Sequence, residues 1–403
     1  MAALTSSAVA DLQPEVAPRW QQLRDYRRAR PVAGVRAATK VTTAPRVAAS
    51  ERIVGLDLTR GLFLIMMAAS HAFTLSGLPG TSLLATWGLP RGWATTGLIM
   101  LCGFTVATLA RHTGYDGARR RVLRRARQVL LVMLASNLIF VPAKLLLTHD
   151  HVERLTSAQW WTRFLLPGAE WSISGILLPI GLFLLLCPAL LRWQTRCRSL
   201  GQALALTALV MTVVMATWTV RFAARASLAH HHWLDVLLGS GVGGFPVVPL
   251  IASGGLGFMI GVLWRPLGRR VTLWTLSAIV AFFVAGTLLK MSVPAVVKPA
   301  LTRAFVDSSH LLIVMVLALA LLQWRPSLRV TRLVALLGAS SLLTVLAHRV
   351  LEQTARLVIT PLEPPAALAY WICLAAGVGG SMVLIALRRR YSVYDRVLRA
   401  AYL

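Results

Sequence analysis

Hydrophobic positions in this chain gather into long runs separated by short polar stretches. Ten runs stand out, at about 56–76, 93–110, 128–147, 171–191, 201–220, 246–264, 271–290, 308–324, 333–350 and 367–387. Each is long enough for a helix rising about 1.5 Å per residue to cross roughly 30 Å of hydrocarbon. In lipid every backbone hydrogen bond must close within its own segment, so the runs predict helices. The expected fold is all-α, a polytopic transmembrane bundle of about ten helices. The second, ninth and tenth runs are the weakest, being rich in Gly, Ser or Ala.

The chain is 57% hydrophobic with a mean hydropathy of +0.68. Its formal charge of +28 would suit nucleic acid, but the charges alternate loop by loop. With a cytoplasmic N-terminus, the segments 1–60, 111–127, 192–200, 265–270, 325–332 and 388–403 are cytoplasmic. They hold 31 of the 42 lysines and arginines, whereas the 14 acidic residues divide evenly between the two sides. That positive-inside bias predicts cytoplasmic N- and C-termini. It argues against a nucleic-acid partner, whose basic stripe would be continuous, and for membrane lipids as neighbours of the surplus arginines.

Residues 1–50 lack periodicity and read as a mobile basic cytoplasmic tail, with a short interfacial helix at 18–30. Residues 51–390 form the transmembrane domain, and 391–403 a second cytoplasmic tail. Residues 1–20 do not read as a signal peptide, for want of a basic start and an apolar core. Cys102, Cys187, Cys197 and Cys373 offer no pair on the outer side, so no disulfide is expected. Arginine outnumbers lysine 38 to 4, as in proteins of GC-rich bacteria. The expected location is therefore a bacterial inner membrane.

Candidate chemistry starts in the first run, Arg52 … Leu56-Asp57-Leu-Thr-Arg60-Gly61 … His71. At about 100° per residue, eleven steps return His71 to within roughly 20° of Arg60 on the helix surface, some 16 Å further along the axis. One face thus carries a cation at the membrane rim and an imidazole well inside. Ionisable groups at such depth face a cavity or a partner. A histidine hydrogen-bonded to a neighbouring helix satisfies the same spacing. The outer face collects further polar groups: His149, His151, His230, His231, His232, His310 and His348, with Glu170, Asp235, Asp307, Glu352 and Glu363. These suit sugar hydroxyls, general acid–base work or a solvated face. Three consecutive histidines do not share a face, and no metal site is expected. Gly257-x-x-x-Gly261 reads as a helix contact, and Trp160, Trp161 and Trp171 as an interfacial belt.

The first-helix pattern, an arginine followed after ten residues by a histidine, resembles the membrane acyltransferases. That group includes the type-3 acyltransferases, the heparan-α-glucosaminide N-acetyltransferases with their bacterial relatives, and the periplasmic glucan succinyltransferases. Leu101-Cys102-Gly103-Phe104 is similar to the group's Leu-Ser-Gly-Phe, with Cys102 departing from it. Arg119-Arg120-Arg121 … Arg124-Arg125 … Arg127 resembles its basic cytoplasmic loop. Gly244-Phe245-Pro246 … Pro249 … Gly254-Gly255 … Gly257 … Gly261 and Gly338-Ala-Ser340-Ser341-Leu342 … His348 resemble the glucosaminide branch, which is the nearest match.

The resemblance implies transfer of an acyl group, acetyl first among them, from cytoplasmic acyl-CoA to a glycan or amino-sugar acceptor at the outer face. His71 would serve as general base or as transient acyl carrier. Arg60, Arg124 and Arg125 would hold the donor's phosphates, to which guanidinium forks are suited. Asp57 would orient Arg60 across one turn. Glu170, Asp235 and His348 would meet a carbohydrate or glycolipid acceptor. Rival readings are a glucan succinyltransferase, a lipid-linked-sugar acyltransferase, and a polytopic small-solute transporter. Against the transporter, the two halves show no clear internal repeat. Whether the chain forms a homo-oligomer is left open by the sequence.

Overall fold

The computed structural model describes residues 54–79, 93–148, 152–165, 175–267 (apart from 198, 224, 229, 240, 242 and 243) and 329–400. The expected runs at 271–290 and 308–324 lie outside the described residues, as does the tail 1–50. The described helices are α1 (Val54–Ser76), α2 (Trp93–Thr148), α3 (Ala158–Leu165), α4 (Leu177–Arg196), α5 (Leu200–Ala223), α6 (Arg225–Leu228), α7 (His232–Leu238), α8 (Val247–Leu267), α9 (Arg329–Ala339), α10 (Ser341–Ile359), α11 (Ala366–Arg390) and α12 (Ser392–Ala400). Among the described residues six helices are long and apolar enough to cross a membrane, or up to seven if α9 and α10 count as one bent span.

The basic loop expected at 111–127 is instead helical. Arg, Ala and Leu are good helix formers, and charge alone does not end a helix. The interruption is confined to Gly114, whose φ of 68° and ψ of 175° are non-helical. Beyond it the chain doubles back. Arg125 lies within electrostatic reach of Cys102 and Arg60. Cys102 and Arg125 each stand roughly 16–18 Å from Gly114 along their own limbs. Collinear limbs would hold them about twice that far apart.

The expected run at 333–350 is also revised. It breaks between α9 and α10, which meet at 97°. The outer loop expected at 351–366 is helical as far as Ile359. The break has a packing cause. A β-carbon on Gly338 would overlap the Asp57 carbonyl, and one on Gly61 would overlap the Val334 carbonyl. The two backbones touch there, so α9 crosses α1 at the turn that carries Asp57 and Arg60.

Two packing groups result. Helices α2, α4 and α8, with α5 against α8, share an apolar core that includes Phe104, Phe183, Leu250 and Phe258. Gly257 and Gly261 let α8 approach α2 at Met100 and Phe104, as expected for a small-residue contact. Trp160 departs from the expected interfacial belt. It is buried and stacked on Phe164, with ring centroids 4.8 Å apart. The second group is α1 with α9, α10 and α11. Small apolar clusters around Phe73, Leu337 and Val334 sit there beside buried Thr344, His348 and Glu352, and this group holds the candidate site.

Candidate functional site

Near the start of α1 an arginine is fixed across two helices. Arg60 Nη2 donates to Thr105 Oγ1 on α2 at 2.5 Å, and Nη1 lies 3.4 Å from Asp57 Oδ1 one turn back. The Thr105 hydroxyl in turn donates to the Leu101 carbonyl at 2.6 Å, which fixes its lone pairs toward Arg60. The Arg60 side chain is 22% exposed and that of Asp57 10%. A guanidinium is a planar fork of N–H donors suited to anions. Arg125, on the returning limb of α2, adds a second cation within electrostatic reach.

Toward the other end of α1, half-buried His71 stacks on His348 of α10, with ring centroids 5.5 Å apart and planes inclined by 24°. Thr344, His348 and Glu352 follow at four-residue steps, so α10 presents them as one stripe. All three are buried, Glu352 completely. His348 Nδ1 lies 2.8 Å from the Thr344 carbonyl oxygen. A carbonyl only accepts, so Nδ1 carries the proton, and a neutral ring then presents a lone pair at Nε2. That Nε2 is buried with no hydrogen-bond partner among the described residues. The same holds for Arg349 Nη1 and both Glu352 carboxylate oxygens. Gly377 of α11 lies against the carboxylate, where an added methyl would sit 2.5 Å from Oε1. Tyr370 and Cys373, on the same helix, lie within electrostatic reach of Glu352.

Of the residues expected from the sequence, Asp57, Arg60 and Arg125 come together at one end of α1, and His71 and His348 at the other. Arg124 is exposed. Asp235 lies on α7, which packs on α5, α6 and α8, away from the helices that carry the histidine pair. Glu170 lies outside the described residues. Thr105 and Arg349 were not expected as site residues, and Glu352 was expected only as one of the outer polar groups, with no role of its own. The signal for the last two was present as Thr344, His348 and Glu352 at i, i+4 and i+8 in an apolar helix, with Arg349 beside them.

Such an arrangement can fix an anion at one end of a helix and handle a proton at the other. Comparison with known proteins agrees. A family model described as an acyltransferase domain, of the type-3 group, matches residues 53–386. Neither the curated proteins nor the solved structures yield a match.

Proposed function

Because the chain belongs to the type-3 acyltransferase family, we propose that it transfers an acyl group, acetyl foremost, from cytoplasmic acyl-CoA to a glycan or amino-sugar acceptor at the outer face of a bacterial inner membrane. Within the family, the stretches Gly244–Gly261 and Gly338–His348 incline this reading toward the bacterial glucosaminide acetyltransferase-like branch. A glucan succinyltransferase or a lipid-linked-sugar acyltransferase would use the same chemistry.

One observation carries the reading. A single helix holds an anchored arginine near its start and, about 16 Å further on, a half-buried histidine stacked on a second histidine. In this reading the Arg60 end is cytoplasmic. Arg60 and Arg125 grip the donor's phosphates, and the thioester reaches His71. His71 takes the proton from the acceptor's hydroxyl or amine as that atom attacks the thioester carbonyl. A C–O or C–N bond forms and the C–S bond breaks. The proton passes to the departing thiolate, so none is consumed overall. A histidine is suited to both halves of that transfer. A transient acyl-histidine gives the same balance in two steps.

Membranes from cells producing the protein, supplied with labelled acetyl-CoA, test this. Free CoA and labelled glycan should appear together, and only when acceptor is present. Acceptor-independent CoA release, or none beyond that of membranes without the protein, would contradict it.

A further inference from the structure

The polar group around α10 is incomplete in a chemically specific way. His348 Nε2 and the two Glu352 oxygens are acceptors, whereas Arg349 Nη1 is a donor. Arg349 and Glu352 attract each other, yet neither those oxygens nor that Nη1 has a hydrogen-bond partner among the described residues. A buried polar atom left unmatched destabilises the fold, and a charged one more so. Four unmatched atoms on three neighbouring side chains are therefore costly to keep. Residues three or four apart on a helix face have β-carbons about 5–6 Å from each other, so one small polar unit can reach all three.

We propose that Arg349 and Glu352 select and orient the acceptor, and that they do so by gripping neighbouring hydroxyls. This rests on the acyl-transfer reading above. An ammonium would satisfy Glu352 but repel Arg349 and offer it no lone pair. A hydroxyl both donates and accepts. One hydroxyl of an adjacent pair donates to Glu352 and accepts from Arg349. Its neighbour is then held at the histidine pair, with its single proton toward His71. Arg349 and Glu352 are positioning residues, since the transferred proton moves at His71. The branch resemblance concerns the scaffold around α8 and the α9–α10 bend, whereas these two side chains set the chemistry of the acceptor.

The test uses the full-length protein in detergent, with labelled acetyl-CoA as donor. Methyl glucoside, 1-propanol and propylamine serve as acceptor probes. The wild type should acetylate the glucoside in preference to the other two. Glu352→Gln and Arg349→Gln should each raise the glucoside KM about tenfold or more, the effect of losing one charge-assisted hydrogen bond, and leave the acetyl-CoA KM unchanged. Each variant leaves the other side chain's charge uncompensated and should lose some stability, but the rise in the glucoside KM should not scale with that loss. An unchanged glucoside KM, a raised acetyl-CoA KM, a fall in melting temperature that tracks the loss of activity, or a wild-type preference for propylamine or propanol would overturn the assignment and leave the acyl-transfer reading standing. A wild type that acetylates none of the probes would instead count against acyl transfer itself, and this assignment would fall with it.

Discussion

The two ends of α1 handle buried polarity in opposite ways. At the Arg60 end the cation is tied to Asp57 and Thr105, and the next helix approaches so closely that only glycine fits at 61 and 338. At the His71 end the rings stack, but among the described residues His348, Arg349 and Glu352 keep polar atoms unmatched. The first arrangement is a finished piece of architecture, able to hold a fixed charge in register. The second is a network completed by whatever enters. A satisfied network rigidifies, whereas a partly satisfied one is costly and persists where function requires it. Under the proposed function, the difference puts anchoring at one end of the helix and chemistry at the other.

The comparison breaks first at His71. Glutamine keeps a hydrogen-bonding side chain of similar reach but does not titrate near neutral pH. His71→Gln should insert and fold normally, yet lose about 10²–10⁴ in transfer rate, the usual contribution of a general base. Turnover measured at matched protein level would show this. Retention of more than about a third of wild-type turnover, far short of such a loss, would make His71 a structural residue.

A smaller, differently shaped loss is expected at the other end. Arg60→Ala removes one charge-assisted contact, worth about 1.5–3 kcal/mol, which is roughly ten- to a hundredfold. The loss should fall on the acyl-CoA KM, with the acceptor KM unmoved. Arg60→Lys should recover only part of it, because a lysine keeps the charge without the fork. Equal effects on both KM values would dissolve the division of labour.

The smallest effect sharpens the comparison. Thr105→Val removes one neutral partner of Arg60, with a net cost of about 1 kcal/mol, or roughly fivefold. It should appear as a raised acyl-CoA KM with full kcat. A fall in kcat instead would mean that the Arg60 end takes part in chemistry.

Parts of this arrangement were legible in the chain. The separation of Arg60 from His71 lies within one helix, where periodicity places both, and Asp57 one turn from Arg60 follows from the same rule. The pairing of His71 with His348 was not legible, since it depends on how α1 and α10 meet. Glu352 was grouped with the outer polar residues because the apolar run appeared to end at 350, whereas the helix continues to Ile359; Arg349, inside that run, drew no notice. Gly338-Ala-Ser-Ser read as a weak stretch of one span. Its role as a bend shows only when the Asp57 carbonyl is found against Gly338. The arginines of 111–127 suggested a loop by their charge, although their helix propensity allowed the helix that forms. Asp235 drew notice through the histidines beside it, but α7 places it with α5, α6 and α8.

The most direct measurement is a cryo-electron microscopy map of the full-length protein in a lipid nanodisc with CoA bound. The account predicts phosphate density against Arg60 and Arg125, and a thiol end that reaches His71, within roughly 3–3.5 Å of its ring. CoA density that avoids α1, or a thiol end lying at Arg60 with the phosphates toward His71, would contradict it.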